Sequence, residues 1–335
     1  WLGDNVLAAP AVMAVRAALP QAHLGVLVRD AMADFWRMLP VDEIIAFPPA
    51  RGWRGVARRW HTARRVRAAQ FASAVVLPNS FDSAFVPWLA GVPQRAGWAT
   101  DGRLFLLNRR IPFPHDLDGE SQAKRYVYLL EQWLGQPLHA ALNVRLTAPQ
   151  DAHGRVAAAC AGQPRIRLAL NPGATYGTAK CWLPARFAEI ACRARTALGA
   201  HVIIVGGAGD QPCCETVMTH IRAAAPDAAA WCVNLAGATS ICDLAAWLER
   251  CACLVTNDTG AMHVAAAVGT PVAAIFGPTD WRTTAPLGTG HKLIRSAVPC
   301  APCLQRACSI DHRCMTSVTT DEVWHAVQEL CAARM

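Results

Sequence analysis

An Asn-Asp-Thr-Gly turn at residues 257–260, with His263 three positions on, combines the parts of an anion site. It follows the apolar run 253–255 and precedes a run of small residues. It therefore reads as the turn between a buried strand and a helix. In open α/β folds, ligands bind beyond the carboxyl ends of strands. The free N–H groups of Thr259, Gly260 and Ala261 would point outward with the positive end of the helix dipole, which suits a phosphate. Gly260 permits close approach of a ligand, and Asp258 or Thr259 can cap the helix. No Asp, Glu, Lys or Arg lies between Asp258 and Asp280, yet Gly269-Thr270-Pro271 divides the segment into pieces too short to cross a bilayer. A well-capped turn with no ligand has the same sequence, so neighbouring loops must decide.

Three such loops occur in the second half. NPGATYGTAKCW (171–182) is rich in small residues and holds Lys180, one of only three lysines, whose ammonium could neutralise a phosphate. GGAGD (206–210) could wrap a ribose or phosphate. In LAGATS (235–240), Thr239 or Ser240 could cap a helix or meet a base. Four loops at one sheet edge point to a nucleotide, although neither a Walker pattern nor an Asp-x-Asp pair for a divalent metal is present.

In the first half, Asp4 reads either as a helix N-cap or as a general base. RGWRGVARRWHTARRVR (51–67) carries seven arginines with Trp53 and Trp60 interleaved. It could grip phosphates or carboxylates, meet an anionic membrane or nucleic acid, or form a solvated helix face. Cys300, Cys303, Cys308 and Cys314 have C-x2-C-x4-C-x5-C spacing with His312 inside. They could bind zinc or an iron–sulfur cluster, or be free thiols.

Hydrophobic runs alternate with helical patterns from end to end, which implies βαβ units and mostly parallel sheets. Expected helices include 6–20, 183–199, 240–252 and 259–269. Expected strands include 23–30, 72–80, 165–174, 201–210, 253–258 and 271–279. The polar segment 148–155 reads as a linker between two similar halves. The chain of 335 residues carries a formal charge of +8. Residues 1–150 hold 17 Lys and Arg against 11 Asp and Glu, and the rest 15 against 13, so an anionic partner is expected on the first half. All 14 cysteines lie at or after Cys160, which fits reduced thiols in a cytoplasm better than a disulfide scaffold. No signal peptide is visible, so a soluble cytoplasmic protein is the simplest expectation.

WLGDNVLAAPAVMAVRAALP, VVLPNSFDSAFVPWLAGVPQRAGW, NPGATYGTAKCWLPARFAEIA, NDTGAMHVAAAVGTPVAAIFGPTD and CAPCLQRACSIDHRCM together resemble the bacterial ADP-heptose:lipopolysaccharide heptosyltransferases, and among them the heptosyltransferase II group. The likeness runs over essentially the whole chain, and LPNS-x3-A, PGA-x5-K-x-W and NDTG-x2-H in this order are specific. It implies a GT-B fold, two Rossmann-like domains facing across a cleft. Residues 1–150 would bind the acceptor and 156–320 the ADP-sugar, and the final helix in 321–335 would pack back on the first domain. The family's chain begins with a short strand before the WLGD-like turn, so a missing first strand is expected.

The implied reaction is inverting, metal-independent transfer of L-glycero-D-manno-heptose from ADP-heptose, with no other cofactor. The implied acceptor is the lipid A–Kdo inner core carrying its first heptose. The implied location is cytoplasmic, peripheral at the inner face of the inner membrane, with no nucleic acid partner. Residue by residue, Asp4 falls on the proposed base, with Lys180 also catalytic. Thr175, Lys180, Thr239, Asp258, Thr259, Gly260 and His263 fall on the donor site. Asn79, Ser80, Arg58, Arg59 and Arg64 are the acceptor candidates. Gln211 stands near a position where some members carry a ribose-binding Glu, so that contact departs from the pattern. The alternatives are a heptosyltransferase I or III, another GT-B transferase, or a metal-binding module built on Cys300–Cys314.

Overall fold

A computed structural model describes residues 1–48, 52–100, 102–164 and 166–334, without the side chains of 52–54. Arg51, Trp53 and Arg54 of the arginine-rich stretch thus lie outside what is described. The chain forms two compact units. One holds Leu7–Val144, and the other holds Trp1–Val6 with Arg145–Met335.

The first unit contains most of α1 (Leu2–Ala18), followed by β1 (Gly25–Arg29), α2 (Asp30–Trp36), β2 (Glu43–Phe47) and α3 (Gly52–Ala68). It continues with β3 (Ser73–Val76), α4 (Phe81–Ala90), β4 (Gln94–Trp98), β5 (Arg109–Ile111) and α5 (Gln122–Leu134). Strands β1 and β2 pair in parallel, and β3, β4 and β5 form a separate parallel sheet. Its core sits in small clusters, among them Ala96, Trp98, Ile111 and Leu129.

The second unit runs α6 (Gln150–Ala159), β6 (Arg167–Asn171), α7 (Pro184–Leu198), β7 (His201–Ile204), α8 (Gln211–Ala224) and β8 (Cys232–Asn234). It goes on with α9 (Ile241–Glu249), β9 (Cys253–Asn257), α10 (Gly260–Ala267), β10 (Val272–Phe276), α11 (Trp281–Thr284) and β11 (Lys292–Arg295). It closes with α12 (Arg313–Thr316) and α13 (Thr320–Ala332). Its six strands are all parallel, ordered β8-β7-β6-β9-β10-β11. This is the 3-2-1-4-5-6 order of a Rossmann sheet, whose direction of winding reverses between β6 and β9. Every residue of β7, β9 and β10 is buried, which explains strands written as continuous Val, Ile, Ala and Cys rather than in alternation.

The α/β class read from the sequence is therefore the class found, with boundaries that differ. The presumed linker is mostly helix. Pro149 opens α6, and Ala152 and Val156, four apart, are buried while the polar residues face out. Arg155 donates to Asp243 at 2.7 Å, which ties α6 to α9. The first six residues group with the second half, not with 7–144. The final helix, expected to turn back toward the first half, packs on α7, β9, β10 and β11. Its buried face of Val323, Val327, Leu330 and Cys331 covers that sheet's core.

Candidate functional site

The turns after β6 and β9 meet at the reversal point, and two asparagines knit them together. Asn171 ends β6. Its amide donates to the Val205 carbonyl at 2.8 Å, and its Oδ1 accepts from the Thr259 hydroxyl at 2.8 Å. Asn257 ends β9. Its amide donates to the Pro172 carbonyl at 2.8 Å, and its Oδ1 accepts the Trp182 N–H at 3.0 Å. Both asparagines are buried, so these bonds replace water that neither side chain can reach. The loop 172–182 is thereby fixed above the sheet with Lys180 inside it.

Lys180 Nζ lies 2.6 Å from Asp258 Oδ2, with side chains 12% and 6% exposed. Thr279, in the turn after β10, donates to the same carboxylate oxygen at 2.7 Å. Asp258 thus does not cap α10; it anchors the ammonium. Thr259 occupies the N-cap position but makes no side-chain cap bond, because its hydroxyl is turned to Asn171. Among the described residues the first N–H groups of α10 have no side-chain acceptor, while Thr259 and Gly260 remain partly exposed. An uncapped helix start beside a held lysine has the chemistry that suits an anion.

The Trp1–Val6 segment packs on this same turn. A Cβ on Gly260 would come within 2.7 Å of Leu2 Cβ, and one on Gly3 within 3.0 Å of His263 Cδ2. Glycine at both positions lets the first turn of α1 lie flat against the start of α10. Asp4 sits inside that turn rather than at its cap, with its carboxylate 46% exposed. His263 is 4% exposed, and its Nδ1 has no hydrogen-bond partner among the described residues. Burial pushes the His263 pKa down; Asp258 and Asp4 pull it up and Lys180 opposes them. A neutral imidazole in contact with Gly3 results.

The remaining donor candidates occupy neighbouring loops. Thr175 is exposed in the loop after β6. Thr239 is partly exposed just before α9, where Ser240 takes the capping role by accepting the Asp243 N–H at 3.1 Å. Gln211 donates to the Ala236 carbonyl at 3.2 Å, joining the loop after β7 to the one after β8. Burial raises the thiol of Cys181 to about 11, so the cysteine beside Lys180 stays protonated.

The acceptor candidates divide. Asn79 and Ser80 form the turn from β3 into α4, and Ser80 caps α4. Sequence reasoning missed Arg103, which is fully buried and donates to the Pro78 carbonyl, to the Trp98 carbonyl at 3.2 Å and to Asn79 Oδ1 at 3.5 Å. No motif marks it. Arg59 pairs with Asp82 at 2.6 Å, beside the Ser80 turn, and Arg58 is exposed. Arg64 lies five residues further along α3, about 7.5 Å by helix rise, and faces solvent.

The cysteine loop does something the sequence did not suggest. It braces the lysine loop: Tyr176 Oη donates to the Leu304 carbonyl at 2.9 Å, the Ala179 N–H to the Arg306 carbonyl at 3.0 Å, and His312 Nε2 meets the Ala179 carbonyl at 2.8 Å. Cys303 and Cys308 are exposed and Cys314 is buried. Among the described residues no three His, Cys, Asp or Glu side chains are grouped to hold a metal.

Comparison with known proteins adds four findings. Residues 59–313 match the model of glycosyltransferase family 9 (heptosyltransferase). The lipopolysaccharide heptosyltransferase 2 of Escherichia coli K12 is 32% identical, covering 88% of this chain and 85% of its own. The lipooligosaccharide heptosyltransferase 2 of Haemophilus influenzae is 30% identical, covering 88% and 86%. Among solved structures, the E. coli ADP-heptose lps heptosyltransferase II superposes with a TM-score of 0.84 at 27% identity, over 100% of this chain and 97% of that one. The GT-B architecture expected from the sequence is the architecture of this chain.

Proposed function

Because the chain belongs to glycosyltransferase family 9, the heptosyltransferases, we propose that it transfers L-glycero-D-manno-heptose from ADP-heptose to the first heptose of a lipid A–Kdo inner core, with inversion. The observation that carries this reading is the Lys180–Asp258 pair beside the uncapped start of α10, with the Asp4 turn seated on the same helix start. That arrangement offers a fixed positive environment for a diphosphate and, next to it, an exposed carboxylate.

The donor diphosphate lies on the N–H groups at Thr259–Gly260, with Lys180 offsetting its charge. Thr175, Thr239 and His263 complete the donor site, and Asp258 acts on it through Lys180. Asp4 takes the proton of the acceptor heptose hydroxyl. The freed oxygen pair attacks the anomeric carbon, the bond to the β-phosphate oxygen breaks, and its electron pair leaves with ADP. The transition state has oxocarbenium character, as in glycoside chemistry generally. Charge growing on ADP is met by dipoles and an ammonium already in place, and the reaction runs without a metal or further cofactor. Asn79 and Ser80, with Arg58 and Arg59, bind the acceptor's carboxylates and phosphates.

The substrate's lipid anchor places the work at the cytoplasmic face of the inner membrane as a peripheral contact. No described helix is long and apolar enough to cross a membrane. Nucleotide release from ADP-, UDP- and GDP-sugars, measured with lipid A–Kdo–heptose and with lipid A–Kdo in the presence of a chelator, tests the proposal. Release from ADP-heptose alone, and only with the heptose-bearing acceptor, is the expected result. Turnover with lipid A–Kdo would reassign the protein to addition of the first heptose.

A further inference from the structure

Helix α3 contains six arginines and no acidic residue. It runs alongside α4 in the same direction. Arg59 pairs with Asp82 at 2.6 Å near the start, and near the end Arg67 donates to the Ala90 carbonyl at 3.0 Å, both contacts spanning 23 residues. Asp82, an acid of α4, is thus already neutralised. Arg64 has no ion pair among the described residues and points to solvent.

Exposed apolar side chains gather on this pair. Six of the ten large hydrophobic residues that stand exposed among the described residues lie on α3, α4 or the Leu104–Phe105 turn, so the distribution is a patch rather than a scatter. Trp60 is 51% exposed amid the arginines of α3. On α4, Phe81, Phe85 and Trp88 recur at helical spacing, with ring centroids 6.0 Å apart for Phe81–Phe85 and 5.6 Å for Phe85–Trp88. Phe105, 62% exposed, extends the row at 5.8 Å from Phe81. Four aromatic rings in contact, three of them exposed, beside a helix that carries six arginines and no acid of its own, call for a partner that is apolar below and anionic above.

We propose that the exposed face of α3 and α4, with the Phe105 turn, docks on a bilayer surface carrying anionic headgroups. Indole and phenyl rings sit at the level where headgroup meets acyl chain, and arginines lay their stems along apolar surface with the guanidinium among phosphates. The charge complementarity decides for a lipid surface over a second copy of this chain, since the face meeting itself would bring arginine against arginine. Position adds to it: Asn79 and Ser80 open α4 directly before Phe81, so a docked α4 holds the proposed acceptor turn at headgroup height. This deepens the membrane contact of the proposed function and rests on it for its purpose, but not for its measurement.

The test is flotation of the full chain with vesicles of phosphatidylglycerol and phosphatidylethanolamine, against vesicles of phosphatidylcholine alone. Binding to the anionic vesicles, weakened by salt, is expected. Trp60→Ser with Trp88→Ser should reduce it by roughly tenfold or more, through lost apolar burial. Arg64→Glu should reduce it by about fivefold or more, since each cation near an anionic surface contributes on the order of a factor of five. The tryptophan variant should keep wild-type turnover on a deacylated, water-soluble acceptor and lose it on an acceptor embedded in vesicles. Absence of vesicle binding by the wild type, or undiminished binding by the tryptophan variant, overturns the docking face. So does a wild-type dimer that the same variant dissociates. Flotation with no heptose transfer to any acceptor would instead overturn the proposed reaction and leave the surface standing.

Discussion

Replacing Lys180 with Ala should cost stability and ADP affinity together, and the two losses should be separable. The ammonium and the Asp258 carboxylate are 2.6 Å apart and almost enclosed. Removing one member of such a pair leaves the other charged and buried, at ~3–5 kcal/mol. Asp258 retains the Thr279 hydroxyl at 2.7 Å and the nearby start of α10, which together place Lys180→Ala at the low end, about 3 kcal/mol. Asp258→Asn keeps an oxygen for Thr279 and leaves Lys180 beside the Tyr176 ring, 5.0 Å from its centroid, so it should cost less. The double variant should lose less than the sum of the two, because the pair interaction can be lost only once. For function, a charge-assisted bond to phosphate contributes ~1.5–3 kcal/mol, so Lys180→Ala should weaken ADP binding by about 10- to 150-fold. Asp258→Asn should weaken it less, since the ammonium remains. Urea denaturation gives the first set of numbers and isothermal titration with ADP, on protein verified as folded, the second. If Lys180→Ala loses the stated stability while ADP affinity stays within twofold, the pair is a structural strut and the donor assignment is wrong.

The other expectations are shorter. Asp4→Asn should lower kcat by ~10²–10⁴-fold with ADP affinity unchanged, as removal of a general base requires; undiminished turnover would return Asp4 to an ordinary first-turn acid. Gly3→Ala drives a methyl into the His263 ring at 3.0 Å and should displace the Asp4 turn, lowering kcat with little change in ADP affinity in stopped-flow and titration measurements. Equal losses in both would mean the turn does not act through Asp4. Stability should fall as pH drops below the ordinary histidine pKa of 6.5, because burial lowers the folded pKa of His263, His201 and His291. Between folded and unfolded values the unfolded chain binds protons that the fold does not, so the contribution is complete above 6.5 and lost on acidification. His201→Phe, which removes a buried ring with neither nitrogen partnered, should flatten urea midpoints measured from neutral pH down to about pH 5, by at most ~1.4 kcal/mol per pH unit. An unaltered slope would mean that ring is hydrated in the fold.

Much of this was legible from residue types and spacing, and the failures have physical causes. The strand–turn–helix at 253–267 and the lysine loop could be read because buried parallel strands and glycine-rich turns leave strong local signals. What Asp258 does could not be read. A carboxylate after a strand looks like a cap, and only the fold shows that Lys180, 78 residues away, reaches it first. The same holds for Thr259, whose hydroxyl is taken by Asn171 across 88 residues. Arg103 gave no signal, since a buried arginine satisfied by carbonyls has no sequence periodicity of its own. The cysteine spacing left zinc, an iron–sulfur cluster or free thiols open and gave no hint of bracing, whereas the loop's bonds run through carbonyls and His312 to the segment holding Lys180. The helix at 150–159 was masked by its polar face, because two buried residues four apart are too few to stand out as a pattern.

The apolar character that made residues 257–280 resemble a membrane span bears directly on what its polar end can do. β9 and β10 are buried at every position, and α10 is buried from Ala261 through Ala267. The helix is therefore enclosed by protein along its length and reaches the surface only at Thr259 and Gly260. Enclosure lowers the local dielectric behind the helix start, so the field of its unpaired N–H groups is screened far less than it would be on an exposed helix. Enclosure also fixes their direction. Nothing behind them can rotate, and no reorganisation is needed when charge moves onto a leaving diphosphate. A polar substitution deep in this stretch should therefore impair ADP departure without touching ADP. Ala265→Ser, buried midway along α10, should leave the bonds to Lys180 intact yet loosen the helix, lowering kcat more than ADP affinity. Were kcat unaffected in a variant shown by hydrogen exchange to have a loosened α10, a rigid helix start would not be what stabilises the departing charge.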